Sequence, residues 1–178
     1  MKDYLLHMRP RSWPIVAAHC TAGFLCGATM AGSPVLWWRL PLAAVGWGIL
    51  LNGGTLALNS AFDNDTGAIG YLDDPPPVPA GLAVFGVVLI MSGFAVAAVL
   101  GKAYMAAYAV CAVMSALYSC PPVRLKAVAG ADMAINCTGY GALTFYSGWA
   151  ASGAELGAAG WYAVSGFFLL FGALYPLT

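Results

Sequence analysis

The chain has 178 residues, 61% of them hydrophobic and 8% charged, and its formal net charge at neutral pH is zero. An ordinary soluble domain carries roughly 25% charged residues, so this composition, with a mean hydropathy of +0.80, argues against a water-soluble domain and for an integral, multi-pass membrane protein. Zero net charge gives no ground for a nucleic-acid partner or a polybasic anchor. The five cysteines (Cys20, Cys26, Cys111, Cys120, Cys137) contain no C-x-x-C pair, which speaks against a zinc site or a disulfide framework.

Apolar runs recur in blocks long enough to cross a bilayer as helix, about 20 residues at ~1.5 Å each. The predicted spans are 13–32, 35–58, 82–100, 103–120, 130–150 and 158–176. They define an all-α membrane protein, a single bundle of about six transmembrane helices. The leading MKDYLLHMRPRSWP runs into a full-length span without an A-x-A cleavage site, so no cleaved signal peptide is expected. In the first span, Gly23 and Gly27 stand at the G-x-x-x-G spacing that suits close helix packing. At the start of the second, Trp37, Trp38 and Arg39 read as an interfacial anchor with a snorkelling arginine. Alternating loops put Lys2, Arg9, Arg11, Arg124 and Lys126 on one side, against Arg39 and Lys102 on the other. The excess of positive charge makes the first side cytoplasmic. The N-terminus and the loops after the second and fourth spans lie there.

The second span ends in LLNGGTLALNSAFD. Asn52, Asn59 and Asp63 share one helix face at 3.6 residues per turn, with Thr55 close by. Two amides and a carboxylate are costly against lipid. The stripe should therefore face the bundle interior, as interhelical hydrogen bonding or as a functional surface. It runs into a loop where Asp63, Asp65, Asp73 and Asp74 gather with no Lys or Arg among them. Such carboxylates repel one another unless a cation binds. A solvated charge run is one reading. A hard divalent cation is the other, and Mg²⁺, which completes its shell with waters and substrate phosphate, suits it best. An EF-hand does not fit, because Ala68 stands where that loop needs glycine. After the fourth span, LYSCPPVRLKAVAG places Arg124 and Lys126 on the same side as the acidic loop, either as membrane anchors or as a clamp for a diphosphate. Asp132 and Asn136 follow one turn apart. They face the same cavity, or Asp132 pairs with Lys126.

NSAFDNDTG, YSCPPVRLK and ADMAINCTGYGAL, in this order, resemble the UbiA-type intramembrane prenyltransferases, and the likeness runs the length of the chain from MRPRSWP onward. The resemblance implies part of a nine-helix fold and Mg²⁺-dependent transfer of a prenyl group from an allylic prenyl diphosphate to an aromatic or lipid acceptor within the membrane. It assigns catalytic roles to Asp63, Arg124 and Lys126 and substrate binding to Tyr118, Arg124 and Lys126, and the helix-face reading adds Asn52 and Asn136 as substrate-binding candidates. Metal ligation falls to Asn59 and Asp63, with Asp65, Asp73 and Asp74 as candidates to complete the shell. Ser60 and Gly67 replace two aspartates of the family's first acidic motif, and no second acidic motif follows Asp132. The chain therefore reads as one transmembrane domain that stops before that motif. Missing spans or a complementing chain would supply the remainder. An inactive partner retaining half a site, and an ion-conducting protein using the polar stripe, are the other classes the sequence admits.

Overall fold

The computed structural model describes every residue except 33, 64–67, 69–72 and 175–178, together with the side chains of 172 and 173. The described residues are helical, with no strand. A short α1 (Lys2–His7) precedes six long helices: α2 (Trp13–Met30), α3 (Arg39–Phe62), α4 (Leu82–Leu100), α5 (Lys102–Ser119), α6 (residues 131–152) and α7 (Ala158–Leu174). These match the six predicted spans. The second lies four residues further on than expected, since the chain at Trp37 and Trp38 is a turn and helix continues to Phe62. The helix α1 was not anticipated from the sequence. It is shorter than two turns and owes its place to packing, with His7 and Met8 both buried.

Two helices, α3 and α4, are long and apolar enough to cross a membrane by length and composition. In α4 the buried residues form a narrow stripe (Leu82, Gly86, Ile90, Gly93, Ala97, Leu100), while Val84, Val87, Val88, Met91 and Val99 on the outside are exposed. A helix apolar all round belongs inside a large core or in lipid. Among the described residues, none packs against its outer half.

Small residues bring the helices close. A Cβ added at Gly23 would stand 1.8 Å from the Phe145 carbonyl oxygen, and one at Gly148 would stand 1.8 Å from that of Cys20. Glycine at these positions is thus what lets α2 and α6 cross with their backbones touching. Gly54 and Gly86 do the same for α3 and α4. Buried hydroxyls add directional ties. Tyr104 donates to the Ala43 carbonyl at 3.0 Å, and Tyr108 to that of Ile90 at 2.9 Å. With no water in a bilayer core, such groups need protein partners.

Both α3 and α6 widen to π-helical turns, at Val45–Leu51 and Cys137–Leu143. The two segments are bonded across the bundle, from Trp47 Nε1 to Thr144 Oγ1 at 2.9 Å and from Tyr140 Oη to Asn52 Oδ1 at 2.9 Å. Single π turns inside α-helices are frequent at functional sites. These two border the cavity described next.

Candidate functional site

The cavity has a volume of about 560 Å³ and lies between α2, α3, α5, α6 and α7. Val16, Trp47, Leu51, Leu56, Met114 and Phe171 give it an apolar wall, and the predicted polar stripe of Asn52, Thr55 and Asn59 forms one side. The polar groups are mostly spent on each other. Asn52 Nδ2 donates to Ser12 Oγ at 3.1 Å and to the Gly48 carbonyl at 3.4 Å, while Asn52 Oδ1 accepts Tyr140. One acceptor lone pair remains on that amide. Thr55 and Ser115 share a bond of 2.7 Å between α3 and α5.

The charges gather at one end of the cavity. Helix α3 stops at Phe62, and Asp63 turns into extended backbone with its N–H still bonded to the Asn59 carbonyl. That keeps Asn59 and Asp63 one turn apart, with both side chains reaching the loop after α5. There the chain leaves α5 through Pro121 and Pro122 and makes a turn of 3₁₀ helix at Leu125–Ala127. Lys126 Nζ donates to Asn59 Oδ1 at 3.2 Å and contacts Asp63 Oδ1. Arg124 Nη2 lies 3.2 Å from the same carboxylate oxygen. The Asp63 side chain is 10% exposed and that of Lys126 is 15% exposed, whereas Arg124 is 43% exposed. Desolvation by burial, then the nearby Arg9 charge, lower the pKa of Lys126. The Asp63 carboxylate in contact favours the charged form.

Tyr118, Asp132 and Asn136 form a second cluster beside the first. Tyr118 donates to Asp132 Oδ1 at 2.7 Å, and Asn136 Nδ2 donates to that oxygen at 3.0 Å. Of the two readings left open for Asp132, the geometry gives the first cluster's lysine to Asp63 and gives Asp132 to Tyr118 and Asn136. Both of those partners line the cavity. Asp73 and Asp74 are exposed, and Asp65 lies outside the described residues. Among the described residues no three His, Cys, Asp or Glu side chains converge on one point.

Arg9 is a site residue that sequence reasoning counted only as a topology charge. It lines the cavity and stands close enough to lower the pKa of Lys126. Among the described residues, the non-glycine positions with positive φ are Arg9 (49°) and Arg124 (39°). Such left-handed backbone costs a non-glycine residue roughly 1–2 kcal/mol and clusters at functional sites. Here both instances are cations close to the Asp63–Lys126 pair. At the opposite pole, Arg39 donates to the Leu100 carbonyl at 3.0 Å and the Ala151 carbonyl at 3.3 Å. It therefore ties the ends of α4 and α6 to the start of α3, where the sequence had suggested an anchor reaching for the interface.

Solved structures place this bundle in a class. The chain superposes on a UbiA homolog from Archaeoglobus fulgidus bound to GPP and Mg²⁺ with a TM-score of 0.79 and 21% identity, covering 97% of this chain and 61% of that one. The form bound to DMAPP and Mg²⁺ gives the same values, and the form bound to Cd²⁺ gives a TM-score of 0.70. The chain thus has the UbiA-type fold. It spans about 60% of the length of the solved chains it matches. No protein-family model matches the sequence, and no curated protein matches it.

Proposed function

We propose that this chain forms the diphosphate-binding and metal-binding part of an integral membrane prenyltransferase, with the acidic loop and the N-terminus on the cytoplasmic side. The observation that carries the reading is the meeting of Asp63, Arg124 and Lys126 around Asn59, which itself lines an apolar cavity. The matching UbiA homolog was solved with GPP or DMAPP together with Mg²⁺.

The donor set fits Mg²⁺. Asn59 and Asp63 offer hard oxygens one helical turn apart, and a lysine ammonium already bridges them. Mg²⁺ needs only one or two carboxylates when waters and phosphate complete its shell, and Asp65, Asp73 and Asp74 are the candidates to join them. When bound, Mg²⁺ would neutralise the diphosphate and make it a better leaving group. The remaining work falls to the chain itself. Arg124, Lys126 and Arg9 supply positive charge for the phosphate oxygens as the allylic C–O bond breaks. The apolar wall accepts the prenyl tail and excludes water from the cation that forms. An aromatic or lipid acceptor would then capture it, with further spans or a complementing chain closing the site.

The test is release of pyrophosphate from GPP by the purified chain in lipid, with and without Mg²⁺. We expect release that depends on Mg²⁺ and is lost in Asp63→Asn. Full activity in that variant would remove Asp63 from the mechanism. Mg²⁺-dependent binding of GPP without release would instead favour a chain that holds the substrate and needs a complementing partner to react. The feature behind that second reading is the lack of a three-carboxylate cluster among the described residues.

A further inference from the structure

Lys126 Nζ occupies the point between Asn59 Oδ1 and Asp63 Oδ1. Those are the two oxygens assigned above to a divalent cation, and the inference rests on that assignment. Three donors already crowd this pair of atoms. Asn59 Oδ1 accepts Ser119 Oγ at 3.3 Å as well as Lys126, and Asp63 Oδ1 accepts Arg124 as well as Lys126. Mg²⁺ held by these residues would need both oxygens as close ligands. An ammonium held between the same two atoms would then lie within a few ångströms of a double positive charge. In a site this little exposed, such repulsion is poorly screened. The two cations are alternatives at one position.

We propose that Lys126 is a resident counter-ion that a divalent metal must displace. The displaced ammonium is then free for the diphosphate, since its loop also carries Arg124 and it already reaches Asn59, which lines the cavity. Metal alone has to break the Lys126 contacts and leave that charge without an anion. Metal arriving with a diphosphate gives the released lysine a new partner. Binding of the two is therefore coupled through one side chain, and metal without diphosphate binds weakly.

The measurement is binding of Mn²⁺ alone, read from the loss of the free-ion electron paramagnetic resonance signal, to the purified full chain in detergent. Unaltered protein is compared with Lys126→Met, Lys126→Gln and Asp63→Asn. Arg124 remains beside Asp63 in both lysine variants, so neither leaves the carboxylate bare. Coupling energies of this kind commonly correspond to 5- to 150-fold. Both lysine variants should bind Mn²⁺ tighter than the unaltered protein by a factor in that range, while Asp63→Asn binds it more weakly. Lysine variants that bind Mn²⁺ no tighter, alongside a weakened Asp63→Asn, would overturn the exchange and leave the metal assignment standing. Should Asp63→Asn bind Mn²⁺ as well as the unaltered protein, the assignment itself is wrong and the exchange falls with it.

Discussion

Asn52 shows how differently one residue reads at two stages. In the sequence it is the first polar position of a stripe that leads to Asp63, and that stripe makes it a substrate-binding candidate. In the fold its amide joins Ser12, the Gly48 carbonyl and Tyr140, so it fastens α3 to the start of α2 and to α6. Cutting it back to alanine would remove the donor to Ser12 and the acceptor for Tyr140, two hydrogen bonds that contribute about 1 kcal/mol each. Asn52→Ala should therefore lower the thermal midpoint in detergent by several degrees and leave Mn²⁺ binding unchanged. Unchanged melting with weaker binding of GPP would return Asn52 to the substrate. Spacing alone could not separate these roles, because it reports which face a side chain shares and is silent on what meets it. The same limit hid Arg9. Nothing in a run of basic residues before a span tells which one will sit left-handed at a cavity mouth.

At the scale of helices, periodicity and length carried most of the information. The third, fourth and sixth spans begin within a residue of where the apolar runs begin, since a bilayer-length apolar block has few other solutions. The Gly23/Gly27 spacing was legible as a contact face, but its partner was not. That partner is α6, and Gly148 on α6 returns the contact. Gly148→Ala places a methyl into the Cys20 carbonyl, which can give way only by moving a whole helix. We expect loss of folded protein, or a destabilisation of 3 kcal/mol or more on the order of a severe overpacking. Gly166→Ala is the control, as its Cβ would meet nothing within 4 Å. That variant should be neutral or gain up to about 1 kcal/mol from helix propensity. Equal melting of the two would remove the α2–α6 contact as a determinant of the fold. The π-helical turns left no trace in the sequence. They reflect the bonds that α3 and α6 make with each other, from Trp47 to Thr144 and from Asn52 to Tyr140.

Taken whole, the molecule has two poles. Arg39 binds the ends of α4 and α6 at one, and Asn59, Asp63, Arg124 and Lys126 meet at the other. Between them the outside of α4 and much of α5 and α7 is bare hydrocarbon: Val84, Met91, Val110, Val113 and Leu169 are each about half exposed or more. Apolar surface on that scale is stable against lipid and a liability in water. The chain should remain in the membrane pellet after alkaline carbonate washing, and extraction into the supernatant would refute the bilayer reading. Asp73→Cys tests orientation: a membrane-impermeant maleimide should reach it in inverted vesicles and not in intact cells.

The sequence by itself pointed to a lipid-facing bundle, to the number and length of its six long helices, and to the residue types at the charged end. Each of those follows from local pattern: apolar blocks of bilayer length, a polar stripe on one helix face, and acidic and basic loops on the same side. Only the tertiary structure decided which charges meet. Asp63 and Lys126 are 63 positions apart in the chain (126 − 63), and three helices must be packed before their side chains come together. The sequence offered Lys126 equally to Asp132, six residues away, and the fold gave it to Asp63 and Asn59. Electrostatic energy depends on separation in space and on exclusion of water, and neither quantity exists in a sequence until backbones cross.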